Sequence, residues 1–116
     1  MNLDKQIIKE KISDILISGS AAVFSIGDFF VQAASTDKDK IYAEAVSHHF
    51  HAGLNIGIEA SFAALGYHLE EGGNYSKIYT VNTGDDIDRI TNEFEIIFRD
   101  YYHANPAAPF EVDDVE

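Results

Sequence analysis

Residues 21–47 read AAVFSIGDFFVQAASTDKDKIYAEAVS. β-Branched and aromatic residues dominate this stretch, and turn formers interrupt it twice, at Gly27-Asp28 and at Thr36-Asp37-Lys38-Asp39. The pattern predicts an antiparallel meander with strands over 22–26, 29–35 and 40–47. In the third, Ile41, Ala43 and Ala45 face one side while Tyr42, Glu44 and Val46 face the other. Gly27-Asp28 suits either a tight turn or a bulge inside one long strand.

Helical spacing lies on both sides of the meander. Upstream, Leu3, Ile7, Ile8, Ile12, Ile15 and Leu16 form one apolar stripe with lysines between them, which predicts a helix over 3–17. Asn2 or Asp4 can cap its start, and Ser18-Gly19-Ser20 stops it. Downstream, Phe50, Leu54, Ile58, Phe62 and Leu65 share a face of a second helix over 49–65, which Gly66 ends. Its opposite side carries Ala52, Ile56, Ala60 and Ala63, with Gly53 and Gly57 between, and Glu59 is its single acid. Such a helix is covered on two sides, either by the sheet and another helix or by an interface in which Gly53, Ile56, Gly57 and Ala60 meet a second copy. After a loop at 70–73 a strand is expected over 74–81, with a short one over 67–69 before it. Thr83 or Asp85 then opens a last helix with the stripe Ile87, Ile90, Phe94, Ile97, Phe98 and Tyr101. The order α-β-β-β-α-β(β)-α predicts an α+β fold, an antiparallel sheet of four to five strands packed against helices.

The 116 residues carry 8 Lys+Arg against 20 Asp+Glu, a formal charge of −12, with no cysteine or tryptophan and 46% hydrophobic residues. That is a single folded domain, expected over 1–103. Without Cys there is no disulfide, thiolate nucleophile or Cys-based metal site. The acidic balance argues against nucleic acid, whose phosphates call for clustered Lys and Arg. The charges among the aliphatics of residues 1–17 argue against a signal peptide, and no run approaches the ~20 apolar residues of a membrane span; a cytoplasmic protein without membrane contact is expected. Most of the acidity lies in 61–116, where three bases meet twelve acids. Pro106, Pro109 and four acids make 104–116 read as an acidic, extended or mobile tail.

Few motifs carry chemistry. Ser47-His48-His49-Phe50-His51 places two imidazoles, His48 and His51, at three-residue spacing, and Glu44 could complete a divalent-metal set. The spacing differs from that of a catalytic zinc helix, which sets its histidines four apart beside a Glu. No serine sits on a glycine-flanked elbow, and Gly72-Gly73 lacks the Lys and helix start of a phosphate loop. No catalytic residue and no cofactor are assigned.

Phe30-Val31-Gln32 in the second strand, Glu44-Ala45-Val46-Ser47-His48 at the strand-to-helix junction, Leu65-Gly66-Tyr67 after the helix and Asn74-Tyr75 before the next strand form a set. Together with the element order, over residues 22–102, it resembles the type III secretion chaperone-like domains grouped with the YbjN-type bacterial proteins, the TY-Chap group. The resemblance implies a bacterial cytosolic α+β domain that binds other polypeptides, commonly as a homodimer, and it supplies no catalytic residue.

The leading expectation is therefore a non-enzymatic protein-binding module, chaperone-like or a regulatory adaptor, whose Phe29, Phe30, Tyr42 and Phe50 engage a protein or peptide partner, with strand addition as one route. One version is an acidic immunity-type protein that neutralises a basic toxin through electrostatic steering. The rival from another class is a metal-dependent enzyme or sensor at Glu44, His48 and His51.

Overall fold

The computed structural model describes residues 3–47 and 57–115. The chain opens with helix α1, Lys5–Ser18, whose Ile8, Ile12 and Ile15 are buried. The Asp4 carboxylate caps it, accepting from Gln6 N at 3.0 Å and Ile7 N at 3.3 Å, while Gly19 N donates to Ile15 O at 2.9 Å and closes the far end. The meander follows as β1 (Ala21–Ile26), β2 (Phe29–Asp37) and β3 (Lys40–Ala45). Between β1 and β2 the pairing runs without a break from Ala21↔Ala34 to Ile26↔Phe29, so Gly27-Asp28 is a tight two-residue turn and not a bulge. Gly27 adopts φ 62° there, a left-handed conformation that glycine enters at no steric cost.

Helix α2 spans Ile58–Ala64, followed by β4 (His68–Leu69), β5 (Tyr75–Thr80) and helix α3 (Gly84–Ile96). The part of the second helix expected over 49–56 lies outside the described residues. At the start of α3 the Asp86 carboxylate reaches back to accept from Asn82 N at 2.8 Å and Thr83 N at 3.1 Å. Those two bonds hold its pKa below the usual carboxylate range. α3 runs directly into a π-helical turn, Ile97–Tyr101.

Residues 110–115, read from sequence as part of a mobile tail, are a sixth strand. β6 (Phe110–Val115) pairs antiparallel with β1 along its whole length, from Ala21↔Val115 to Ile26↔Phe110. The domain thus extends past residue 103, and the sheet has six strands where four to five were expected. Its order is β4-β5-β3-β2-β1-β6, with every neighbouring pair antiparallel.

The helices share one face of this sheet. Phe24 of β1 meets Phe94 of α3 at 5.7 Å between ring centroids, Phe62 of α2 stacks on Tyr75 of β5 at 4.3 Å, and α1 is tied to α3 by Lys5–Glu95 and Lys9–Asp88 ion pairs. Between the layers lie Ile8, Ile12, Ile15, Phe24, Ile26, Val31, Ile41, Phe62, Tyr75, Tyr79, Ile90, Phe94 and Phe98, all almost fully buried. Each large apolar side chain so buried contributes about 1.5–3 kcal/mol, which makes this layer the main source of stability. No helix among the described residues is long and apolar enough to cross a membrane.

Candidate functional site

Alternation along the strands sends a second set of side chains to the face away from the helices. The register aligns Val115, Ala21, Ala34, Tyr42 and Ile78 in one row across β6, β1, β2, β3 and β5. At about 4.8 Å between strands this unbroken apolar row is about 19 Å long. Ile78, near one end, is 61% exposed. Phe30 lies half-buried on the same face, opposite Ser25.

Beside the row runs a polar one. Glu44, Ser76 and His68 stand opposite one another across β3, β5 and β4. Glu44 is fixed from two sides: Tyr42 Oη donates to one carboxylate oxygen at 3.1 Å and Asn74 Nδ2 to the other at 3.0 Å. Asn74 Oδ1 in turn accepts from Ser47 N at 3.3 Å, which ties the exit of β3 to the entrance of β5. Glu70 accepts from the Ser76 hydroxyl and lies 2.8 Å from His68 Nε2. The Ser76 bond, helped by His68, holds the Glu70 carboxyl below its ordinary pKa. Partial burial, reinforced by Glu44, pushes the Tyr42 phenol up.

Ser76 is 1% exposed, so its hydroxyl, though bonded to a carboxylate, cannot reach a substrate carbonyl. No group of three or more His, Asp or Glu side chains converges to hold a metal among the described residues. Of the candidate metal set, Glu44 is placed and already occupied by Tyr42 and Asn74, while His48 and His51 lie outside the described residues.

Of the residues expected to meet a partner, the three that are described do not all share a surface. Phe30 and Tyr42 are on the helix-free face. Phe29 points the other way and stacks on Tyr102 at 4.9 Å, with 12° between the rings. Consecutive residues of a strand point to opposite faces, so Phe29 and Phe30 cannot serve one face together. Phe50 lies outside the described residues, as do Gly53 and Ile56 of the expected dimer interface. Gly57 and Ala60 are described, and both are exposed at the start of α2.

A second polar cluster, not foreseen from the sequence, lies between sheet and helices. Tyr67 and Tyr79 join their hydroxyls at 2.7 Å, and Tyr79 Oη donates to Glu93 Oε1 at 2.8 Å. Lys77 Nζ donates to the same carboxylate oxygen at 2.9 Å and to Leu65 O at 2.5 Å, and sits 4.5 Å from the centre of the Tyr79 ring. Gly66, at φ 89°, makes room for it: a Cβ there would lie 3.3 Å from Lys77 Cε. Burial drives the Tyr67 and Tyr79 pKa values well above that of a free phenol. Tyr75, Lys77 and Tyr79 alternate along the strand expected over 74–81, but their meeting with Tyr67 and Glu93 requires three elements to pack, and no local pattern encodes it. Compared with family models, with curated proteins and with solved structures, the chain matches none.

Proposed function

We propose that this chain is a non-enzymatic protein-binding module that receives a polypeptide on the helix-free face of its sheet. The observation that carries the reading is the apolar row Val115, Ala21, Ala34, Tyr42, Ile78, flanked by the hydrogen-bonded Glu44 and Glu70. An apolar strip bordered by fixed polar groups has the anatomy of a recognition surface, in which the strip supplies affinity and the rim orientation. The resemblance to secretion chaperone-like domains leads to the same class of function.

Site-specific photo-crosslinking in the native cell tests this. A photoreactive residue at position 78 is expected to capture a distinct polypeptide, whereas one at Ile17, 87% exposed on α1, captures none. Equal labelling at the two positions, or none at either, overturns the proposal. A homodimer is the form of this reading in which the second copy is the partner. Light scattering at several concentrations tests it: a mass of two chains that survives dilution supports it, and a mass of one chain removes it.

A further inference from the structure

We infer that the outer edge of β6 is a docking strand for an extended segment of another protein in which basic and apolar residues alternate. The inference rests on the protein-binding reading and names the partner's chemistry. Ser35 N donates to Ser20 O at 3.0 Å and Val46 N to Phe30 O at 3.3 Å, so residues 20, 22, 24 and 26 direct their amides and carbonyls toward β2. Residues 21, 23 and 25 then direct theirs toward β6. Their partners in register are Val115, Asp113 and Glu111. It follows that Phe110, Val112 and Asp114 turn their backbone groups outward, on the last strand of the sheet. The opposite edge offers far less, since β4 has two residues.

Side chains select what can pair there. On the helix side Phe110 and Val112 are half-buried, with Phe110 stacked on Phe24 at 6.4 Å, and Asp114 is matched by Lys11 at 2.8 Å. On the other side Glu111 and Asp113 are exposed and make no ion pair among the described residues. A second copy of β6 would set Glu111 and Asp113 against like charges, which disfavours self-pairing. A strand with Lys or Arg at every second position meets Glu111 and Asp113 on one side and covers Phe110 and Val112 with its intervening apolar residues on the other. The chain's −12 charge speeds the approach of such a segment.

The test uses the full chain and a capped seven-residue peptide alternating lysine and valine. A control peptide of the same composition places its lysines in one block. Amide hydrogen exchange and chemical shifts are read by NMR. The alternating peptide is expected to slow exchange at the amides of Phe110, Val112 and Asp114, with those of Glu111, Asp113 and Val115 unchanged because β1 already holds them. Glu111→Lys with Asp113→Lys is expected to weaken binding by about tenfold or more, as two favourable exposed pairs become repulsive. Equal protection by the blocked control, or absence of protection at the outward amides, overturns the inference. Perturbation confined to Tyr42 and Ile78 also overturns it, while leaving the helix-free face as the binding surface. Silence at both places ends both readings.

Discussion

Two clusters in this domain use the same vocabulary, a tyrosine hydroxyl donating to a glutamate, and differ in what surrounds them. In one, Tyr79 donates to Glu93 beneath α3, and the Lys77 and Glu93 side chains are only 19% and 13% exposed. In the other, Tyr42 donates to Glu44 on the helix-free face, where both residues are half-exposed. The first cannot lose a member without stranding a buried partner, because a polar group out of water must be paired. The second can exchange its bonds with water or with a ligand at little cost. Equal chemistry thus serves architecture in one place and is available for recognition in the other, with burial deciding between them.

The contrast can be broken by pH, with the largest effect. Tyr67, Tyr79 and Tyr102 are held neutral by burial, with pKa values raised in the folded chain. A group raised on folding contributes its full stabilisation below the unfolded value, about 10, and loses it as pH rises further. Stability is therefore expected to fall above pH 10, by up to about 4 kcal/mol per pH unit for the three together. Denaturant titrations between pH 8 and 11 measure this; a flat profile would show that the phenols ionise in the native state. Next comes Glu93→Leu, which leaves the part-buried Lys77 ammonium without its counter-charge and removes the carboxylate that accepts from the Tyr79 hydroxyl, and is expected to cost about 3 kcal/mol in urea unfolding. Glu93→Gln retains an acceptor and loses less.

Tyr79→Phe is expected to cost about 1–2 kcal/mol, and adding Tyr67→Phe little more, since the first change leaves the second hydroxyl without its Tyr79 partner. A double-mutant cycle reads that coupling. The smallest effect belongs to the helix-free face, where Glu44→Gln and Ile78→Thr are expected to stay within about 0.5 kcal/mol of the parent. A loss above about 2 kcal/mol at Glu44 would erase the distinction between the two clusters.

What the sequence disclosed follows the same division between local and assembled features. The stripe of Ile8, Ile12 and Ile15 and the one-sided set Ile41, Ala43, Ala45 are written in neighbouring residues, and each reappears in the fold, whereas Gly27-Asp28 suited a turn or a bulge and the strand register decides for the turn. β6 was missed because Pro106 and Pro109 before it, together with its acids, resemble a solvated terminus. Its alternation of Phe110 and Val112 with Glu111 and Asp113 was the available signal, but the strand it pairs with lies about ninety residues upstream. Of the partner-contact residues named from the sequence, Phe30 and Tyr42 lie on the helix-free face and Phe29 on the other, a division the sequence reading did not draw because two adjacent aromatics look alike in a sequence and opposite in a strand. The row through Ile78 and Val115 needs the register of five strands, which no single segment specifies.

The π-helical turn at Ile97–Tyr101 has a consequence for how this chain tolerates length change. A π turn holds one more residue than an α turn, and each residue of a helix rotates its successors by about 100°. Tyr102, just past the turn, donates its hydroxyl to Val46 O at 2.6 Å and stacks on Phe29. Deleting one residue of the turn would leave a regular helix with better internal bonding, yet swing Tyr102 about a quarter of a revolution away from both. The extra residue acts as a spacer that phases the end of α3 to the exit of β3, so the exposed Arg99 and Asp100 of this turn are expected to accept substitutions far more readily than deletions.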